Sequence, residues 1–164
     1  MPNVLVYSHH DFDKLCESLD MNDSTIHMFN DLAFISIIGT PEVLSKYLHE
    51  ENTKHLFNTD HDNVLNLDFD DVEKDQTVCG IQAKAITEKQ AEKCVEFIEN
   101  NLGKTFIIHC RAGKSRSQAV SAFITQMYDE YKDCPGNPDN PCLTPNMGVL
   151  SALKRILYKR LGYS

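Results

Sequence analysis

The sequence predicts an α/β fold, a single domain spanning residues 1–164 in which helices flank a central and mostly parallel sheet. Apolar runs typical of buried strands alternate along the chain with amphipathic stretches typical of helices. The 164 residues suffice for one domain with one sizeable core, and a hydrophobic content of 41% is that of a globular protein. No linker, internal repeat or low-complexity segment divides the chain.

Strands are predicted where short apolar runs end in turn-forming residues. The run at 32–38 is continuously apolar, as expected for a central strand of a parallel sheet that is buried on both faces. From Asp70 to about Gly80 the sequence is polar and predicts a loop. The other predicted strands are 4–7, 64–69 and 105–108, with a short one at 55–57 inside the polar segment 51–63.

Helices are predicted from capping residues and from apolar side chains at helical spacing. Thr87 and Gln90 form a capping box, apolar residues follow at helical spacing, and Gly103 ends that helix. Thr40 and Pro41 begin a short helix as the N-cap and the first helical residue. The remaining helices are predicted from about 12 to 19, from near Lys114 with an apolar stripe reaching Tyr131, and, after a breaker-rich loop at 133–142, from about Pro145 onwards.

The charge is acidic overall but unevenly distributed. The net charge is −8, yet residues 1–102 carry 20 acidic and 7 basic side chains, whereas residues 103–164 carry 4 acidic and 9 basic ones. The acidic total argues against stable nucleic-acid binding, and the basic second part suits an anionic substrate.

The sequence predicts a cytoplasmic protein without a membrane span. The N-terminus lacks the basic head and long apolar body of a secretory signal, and no apolar run approaches the roughly 18–20 residues that a membrane span needs. The six cysteines are scattered and indicate reduced thiols. The segment 9–13, His-His-Asp-Phe-Asp, suggests a metal site, but no second ligand cluster completes it, so no metal is predicted.

The strongest chemical signal lies in the stretch 109–117, His-Cys-Arg-Ala-Gly-Lys-Ser-Arg-Ser. It joins a strand-like run to a helix, so backbone N–H groups and the positive end of the helix dipole converge on one anion site. Cys110 provides a nucleophile whose pKa such surroundings lower, and Arg116 provides a guanidinium that binds two phosphate oxygens at once. These residues predict attack on phosphorus. The Gly-Lys-Ser segment also resembles a nucleotide-binding P-loop, but Ile108 stands where that motif needs its first glycine.

The pattern Cys-x5-Arg-Ser preceded by His resembles the signature loop of the cysteine-based protein tyrosine phosphatases, most closely the dual-specificity branch. The resemblance implies a phosphomonoester hydrolase that acts through a phosphocysteine intermediate on Cys110, with Ser117 hydrogen-bonded to the sulfur. His109 is expected to orient the loop through backbone contacts, and no cofactor is expected because the loop supplies the positive charge. The implied phosphate-binding residues are Arg111, Ala112, Gly113, Lys114, Ser115 and Arg116.

An acid that protonates the leaving oxygen is predicted at the end of the third strand. Asp68, Asp70 and Asp71 lie where parallel strands present functional loops, and the family draws its acid from a loop some 30–40 residues before the cysteine. Asp71 precedes Cys110 by 39 residues and ends an aromatic-acid-Asp pattern similar to that of several of these enzymes. The resemblance therefore favours Asp71, with Asp70 as the alternative. An acidic, solvated loop is the purely structural interpretation.

The last predicted helix extends the resemblance beyond the loop. Residues 144–153 are similar to a Pro-Asn-x-Gly stretch that follows the signature loop in dual-specificity phosphatases. The resemblance then covers most of residues 60–164, while residues 1–60 carry no motif of their own.

The sequence leaves the substrate open. The default is a protein or peptide phosphorylated on tyrosine, serine or threonine. Arg111 and Lys114 add two cations to the loop, and a similar pair occurs in the phosphatase and tensin homologue, whose substrate is a phosphoinositide. Polyanionic substrates such as phosphoinositides or RNA 5′-phosphates are therefore the alternative. A non-catalytic phosphate-binding module and a redox sensor, in which Cys79 or Cys94 pairs with Cys110, are the remaining interpretations.

Overall fold

A four-stranded parallel sheet lies at the centre of the computed structural model, which describes residues 1–46, 54–141 and 144–163. The sheet order is β1-β6-β2-β3, and β4 and β5 form a separate antiparallel hairpin. β2 is therefore an interior strand, as its uninterrupted apolar sequence predicts. The strands are β1 (Val4–Ser8), β2 (Leu32–Ile38), β3 (Val64–Asp68), β4 (Gln76–Val78), β5 (Ile81–Ala83) and β6 (Thr105–Cys110).

Helices cover both faces of this sheet. They are α1 (His9–Ser18), α2 (Pro41–Lys46), α3 (Glu88–Asn100), α4 (Arg116–Met127) and α5 (Met147–Arg160), with 3₁₀ turns at Ile26–Met28 and Asp129–Tyr131. The apolar sides of α3, α4 and α5 share one core cluster with the sheet, and α1 packs in a second cluster on the opposite face. The predicted α/β class is confirmed. Within the described ranges, no helix is both long and apolar enough to cross a membrane.

Side-chain alternation along β6 determines where the candidate site residues lie. Ile108 and Cys110 face the core shared with α3, α4 and α5, because alternate strand residues point to the same face. Ile107 joins the α1 cluster on the other face, where the His109 ring stacks on Phe12 at a centroid distance of 4.2 Å. Although His109 and Cys110 are adjacent in sequence, their side chains thus lie on opposite faces of the sheet.

The helix starts follow the capping residues. In the predicted capping box, Thr87 Oγ1 accepts a hydrogen bond from Gln90 N at 3.1 Å, and Gln90 Oε1 accepts one from Thr87 N at 2.9 Å. α1 begins three residues earlier than predicted, because Ser8 is its N-cap and accepts a hydrogen bond from Asp11 N at 3.1 Å. α4 and α5 each begin about two residues later than predicted.

Three sequence predictions are wrong in detail. Residues 55–57 form no strand; Phe57 is instead buried in the α1 cluster, and its carbonyl accepts a hydrogen bond from Asn66 Nδ2 at 3.0 Å. The loop predicted after β3 contains the β4–β5 hairpin. α4 ends before Tyr131, whose ring is buried in the core from the following 3₁₀ turn. A run as short as His-Leu-Phe satisfies core packing as readily as strand formation, so spacing alone does not separate the two.

The breaker-rich segment runs along the free edge of β1. Asn137 Oδ1 accepts a hydrogen bond from Val6 N at 2.6 Å, and Asn140 Nδ2 donates one to Val6 O at 2.8 Å. As predicted, residues 133–141 contain no helix or strand, while Cys142 lies outside the described residues. The segment covers this edge of the sheet with side-chain hydrogen bonds.

Candidate active site

The loop between β6 and α4 is folded tightly against the end of β1. Gly113 adopts a φ of +70°, a left-handed conformation that favours glycine. A Cβ at this position would lie 2.8 Å from backbone atoms of both Tyr7 and Ser8. Glycine is therefore required here for two independent reasons, its conformation and the space available.

The carbonyl groups of this loop are bonded to the elements around it. No peptide bond among the described residues is cis, so the N–H that follows each bonded carbonyl points the opposite way. The N–H groups of residues 112, 114, 115 and 116 therefore face the interior of the loop, as in sites that bind tetrahedral anions. The hydrogen bonds to the loop carbonyls measure 3.0–3.2 Å. The Arg111 carbonyl accepts from His9 N, the Gly113 carbonyl from the side chains of Gln118 and Asn140, the Lys114 carbonyl from Thr144 Oγ1, and the Ser115 carbonyl from Asn146 N.

The Cys110 thiol is buried at the base of this loop, with only 2% of the residue exposed. Its Sγ lies 3.0 Å from Ser117 Oγ. Burial acts to raise the pKa of Cys110, but the charge of Arg116 and hydrogen bonds from Ser117 and from the Gly113 N–H outweigh it and hold the pKa below its ordinary value. The surroundings thus favour the thiolate, which is the nucleophilic form of cysteine.

Arg116 is buried beside the thiol and keeps part of its guanidinium unused. Its Nη1 donates a hydrogen bond to Phe69 O at 2.8 Å, whereas Nε has no partner among the described residues. Together with Arg111 and Asp71, Arg116 lines a cleft of about 220 Å³. A buried cation with an unused donor at such a cleft is a ready ligand for phosphate oxygens. The apolar wall of the cleft is formed by Ile37, Ile38, Val43 and Leu44.

Asp70 also lines the cleft, but its carboxylate is committed to the fold. Asp70 is only 3% exposed. Its Oδ1 accepts a hydrogen bond from Thr40 N at 2.9 Å, and its Oδ2 accepts from Thr40 Oγ1 at 2.8 Å and Lys84 N at 2.7 Å. Both oxygens are occupied as acceptors, so Asp70 ties the start of α2 to the end of the β4–β5 hairpin.

Asp71 is exposed at the rim of the cleft and is held through one oxygen. Its Oδ1 accepts hydrogen bonds from Ser115 Oγ at 2.7 Å and from Asn146 Nδ2 at 2.9 Å. Its Oδ2 has no hydrogen-bond partner in the described parts of the chain. Asp71 therefore combines a fixed position beside the loop with an oxygen available to a substrate, and of the two acids it is the one suited to donate a proton.

The start of α5 fixes the position of Asp71. Asn146 is the N-cap of α5, and its Oδ1 accepts hydrogen bonds from Gly148 N and Val149 N while its Nδ2 donates to Asp71. A Cβ on Gly148 would lie 2.7 Å from the backbone of Glu73, so glycine allows α5 to approach the acidic loop. The sequence pointed to this stretch only as a resemblance and assigned Asn146 no function.

The other predicted loop residues occupy different positions. Arg111 lines the cleft, whereas Lys114 is exposed and is not among the described residues that line it. Ala112 is exposed, and the Ser115 hydroxyl is already bonded to Asp71, so these two residues can offer a substrate their N–H groups. The predicted phosphate-binding stretch is thus divided between backbone donors and two charged side chains.

The two cysteines considered as redox partners differ in environment. Cys94 is fully buried in α3, and burial raises its pKa to about 12. Such a thiol is almost entirely protonated at neutral pH and attacks disulfides poorly. Cys79 is exposed at the turn of the β4–β5 hairpin. Among the described residues, no group of three or more potential ligands is arranged to hold a metal ion.

The structure adds residues around His109 that the sequence did not single out. Nε2 of the His109 ring lies 2.6 Å from Ser36 Oγ, and the same hydroxyl oxygen lies 2.6 Å from His55 Nδ1. Asp68, considered as an acid from the sequence, is 2.5 Å from His55 Nε2 instead. The sequence feature that could have indicated this cluster is Ser36, because a hydroxyl in an otherwise apolar buried strand needs a hydrogen-bond partner.

Comparison of the chain with models of known protein families and with curated proteins gave no match. What the chain does is therefore inferred from the geometry of its own residues.

Proposed function

We propose that the chain is a cysteine-dependent phosphomonoester hydrolase, similar to the dual-specificity branch of the protein tyrosine phosphatases, that acts on phosphorylated proteins or peptides. The observation that carries this proposal is the buried Cys110 thiol, which has Ser117 Oγ 3.0 Å away and accepts a hydrogen bond from the Gly113 N–H of its own loop. Arg116 lies beside it with an unused donor, and its charge lowers the pKa of the thiol. A nucleophile and anion donors in one cradle are what attack on a phosphate monoester requires.

In the first step, Sγ of Cys110 attacks phosphorus, and the bond between phosphorus and the leaving oxygen breaks. The loop N–H groups and Arg116 bind the three remaining oxygens throughout. Asp71, protonated before the attack, gives its proton to the leaving oxygen, which departs as a phenol or an alcohol. The step yields phosphocysteine and the Asp71 carboxylate.

In the second step, water attacks phosphorus and the sulfur–phosphorus bond breaks. The Asp71 carboxylate takes a proton from the attacking water, which restores the acid for the next cycle. Ser117 Oγ, 3.0 Å from the sulfur, donates a hydrogen bond to the returning thiolate. Inorganic phosphate is then released from the loop.

The test is phosphate release from four kinds of substrate: phosphotyrosine peptides, phosphoserine or phosphothreonine peptides, a phosphoinositide panel, and RNA with 5′-phosphates. The proposal expects turnover of at least one peptide class by the unaltered chain and none by Cys110→Ser. Binding of phosphorylated ligands without turnover of any substrate would instead identify a phosphate-binding module.

The position of Arg111 favours a second substrate class, monoesters that carry further phosphate groups. Arg111 lines the cleft with Arg116, so a second anionic group could reach its guanidinium while the first occupies the loop. Lys114 is exposed elsewhere on the loop and serves as the matched control.

If the substrate is a singly phosphorylated peptide, Arg111→Ala and Lys114→Ala together are expected to lower kcat/KM at most about tenfold, an effect that added salt removes. If the substrate is polyphosphorylated, Arg111→Ala alone is expected to cost on the order of a hundredfold on that substrate, because a charge-assisted hydrogen bond is lost. Steady-state kinetics on both substrate types at low and high salt separate the cases. We expect the small loss; a large loss caused by Arg111→Ala and not by Lys114→Ala would replace the peptide assignment.

A further inference from the structure

A chain of side-chain hydrogen bonds runs from the protein surface to the residue before the proposed nucleophile. Asp68 Oδ1 lies 2.5 Å from His55 Nε2, His55 Nδ1 lies 2.6 Å from Ser36 Oγ, and Ser36 Oγ lies 2.6 Å from His109 Nε2. The Asp68 side chain is half exposed and that of His55 is 14% exposed, whereas Ser36 and His109 are fully buried. The pairing of β2 with β6 sets Ser36 directly opposite His109. We call Asp68, His55, Ser36 and His109 the relay.

The single hydrogen of the Ser36 hydroxyl restricts how the relay can be protonated. A hydroxyl donates one hydrogen bond and accepts others. The buried Ser36 hydroxyl has no other partner among the described residues, so its hydrogen finds an acceptor only if Ser36 donates to one ring and accepts from the other. The direction of this one O–H bond therefore links the protonation of His55 to that of His109.

Two further constraints leave only two arrangements. His55 must carry a hydrogen on Nε2, because that nitrogen faces the Asp68 carboxylate. His109 must be neutral: burial, aided by the nearby His9, His55 and Arg116, places its pKa well below the ordinary value. His109 therefore carries its one hydrogen on either Nδ1 or Nε2.

The protonation of His55 selects between these two tautomers of His109. When His55 is neutral, its bare Nδ1 accepts from Ser36, and Ser36 accepts from a hydrogen on His109 Nε2. When His55 is protonated, its Nδ1 donates to Ser36, Ser36 donates to His109 Nε2, and the His109 hydrogen moves to Nδ1. Each change in the protonation of His55 adds or removes one proton on that ring and moves one proton between the two ring nitrogens of His109.

The second tautomer places a donor beside the nucleophile's own backbone. Nδ1 of His109 has no hydrogen-bond partner among the described residues, and the Cys110 backbone is the neighbouring group that acts to raise the pKa of the ring. With a hydrogen on Nδ1, the ring would donate to the Cys110 carbonyl and so hold the backbone of the nucleophile. Because the peptide is trans, the Arg111 N–H is then directed the opposite way.

We propose that Asp68, His55 and Ser36 are positioning residues of the candidate site: through the tautomer of His109 they set the orientation of the Cys110 loop according to the protonation of His55. This inference rests on the proposed function in taking Cys110 as the nucleophile. The other charged or titratable groups around His55 in the described ranges are His9 on α1 and Lys54 beside it in the chain.

The direct test is nitrogen-15 NMR of the full chain, with long-range correlations that distinguish the two imidazole tautomers, recorded from about pH 5 to about pH 8, where histidines ordinarily titrate. His109 is expected to change from Nε2–H to Nδ1–H as pH falls, at the same midpoint as the protonation of His55. The change is expected in His27→Gln, which alters an exposed histidine, and is expected to vanish in His55→Gln and in Ser36→Ala. A tautomer that stays constant while His55 titrates in the unaltered chain would overturn the proposal.

The second test is the alkylation rate of Cys110 by iodoacetamide over the same pH range. The unaltered chain and His27→Gln are expected to show a step of at most about tenfold at the His55 midpoint, the scale of one hydrogen bond to the backbone that carries the thiol. Loss of this step in both His55→Gln and Ser36→Ala supports the positioning role, and its persistence in both refutes it. Neither measurement requires turnover. If the chain shows the step but hydrolyses no phosphomonoester, the inference about the relay stands and the proposed function is wrong.

Discussion

Cys110→Ser is expected to lower kcat for an aryl phosphate by at least about 10⁴-fold, in line with removal of an enzyme's nucleophile. The serine hydroxyl is a far weaker nucleophile at neutral pH than the thiolate, while the inward N–H groups and Arg116 remain in place. The variant should therefore still bind phosphorylated ligand, which calorimetry or a pull-down with phosphopeptide would show. Arg116→Ala is expected to cost at least about 10³-fold and to weaken phosphate binding as well.

Two matched variants serve as controls, Cys79→Ser in the exposed hairpin turn and Arg155→Ala on the exposed side of α5. Both should retain full activity, and a metal chelator should have no effect. Removing the Arg116 charge takes away a factor that lowers the pKa of Cys110, so the pH at which alkylation is half-maximal should rise in Arg116→Ala. Appreciable turnover by Cys110→Ser, or loss of activity in chelator, would eliminate the thiolate mechanism.

Asp71→Asn is expected to slow turnover roughly 10²-fold or more, the usual effect of losing a general acid. Asparagine keeps the acceptor oxygen that Ser115 and Asn146 bond but has no proton to give to the leaving group. The loss should shrink for phosphate esters whose leaving group departs without a proton, and the basic limb of the pH–rate profile should flatten. Steady-state kinetics over a series of leaving groups measures both effects.

Asp70→Asn is the informative comparison for this variant. An amide at residue 70 would turn an N–H donor towards the Thr40 or Lys84 donors that now bond the carboxylate, so we expect a lower melting temperature. If Asp70→Asn instead causes the loss of activity that shrinks with better leaving groups, while Asp71→Asn does not, the proton donor is Asp70.

The part of the site that lies in one continuous stretch is the part that the sequence predicts. A strand, a glycine-bearing loop and a helix N-terminus follow one another within residues 105–127, and each is determined by local sequence. The structure accordingly ends β6 at Cys110, gives Gly113 a positive φ and begins α4 at Arg116. The catalytic roles of these residues, and that of Asp71, stay predictions.

Contacts between distant segments are the part that the sequence does not predict. Asn146 and Asp71 are 75 residues apart, and Ser36 and His109 are 73 apart. The second pair meets only because β2 and β6 pair in one register, and shifting that register by one residue would move Ser36 to the other face. A hydrophobic pattern identifies a strand but does not show which residues of the neighbouring strand lie opposite it.

The segment along β1 has a consequence for how this protein behaves at high concentration. The outer strand of an open sheet presents unpaired N–H and C=O groups on which another chain can add a strand, the usual beginning of aggregation. Here the Val6 donor and acceptor are occupied by Asn137 and Asn140, and prolines at 135, 138 and 141 remove N–H groups from the covering segment. Because Asn140 also bonds the Gly113 carbonyl, the protection of this edge and the shape of the loop depend on the same side chain.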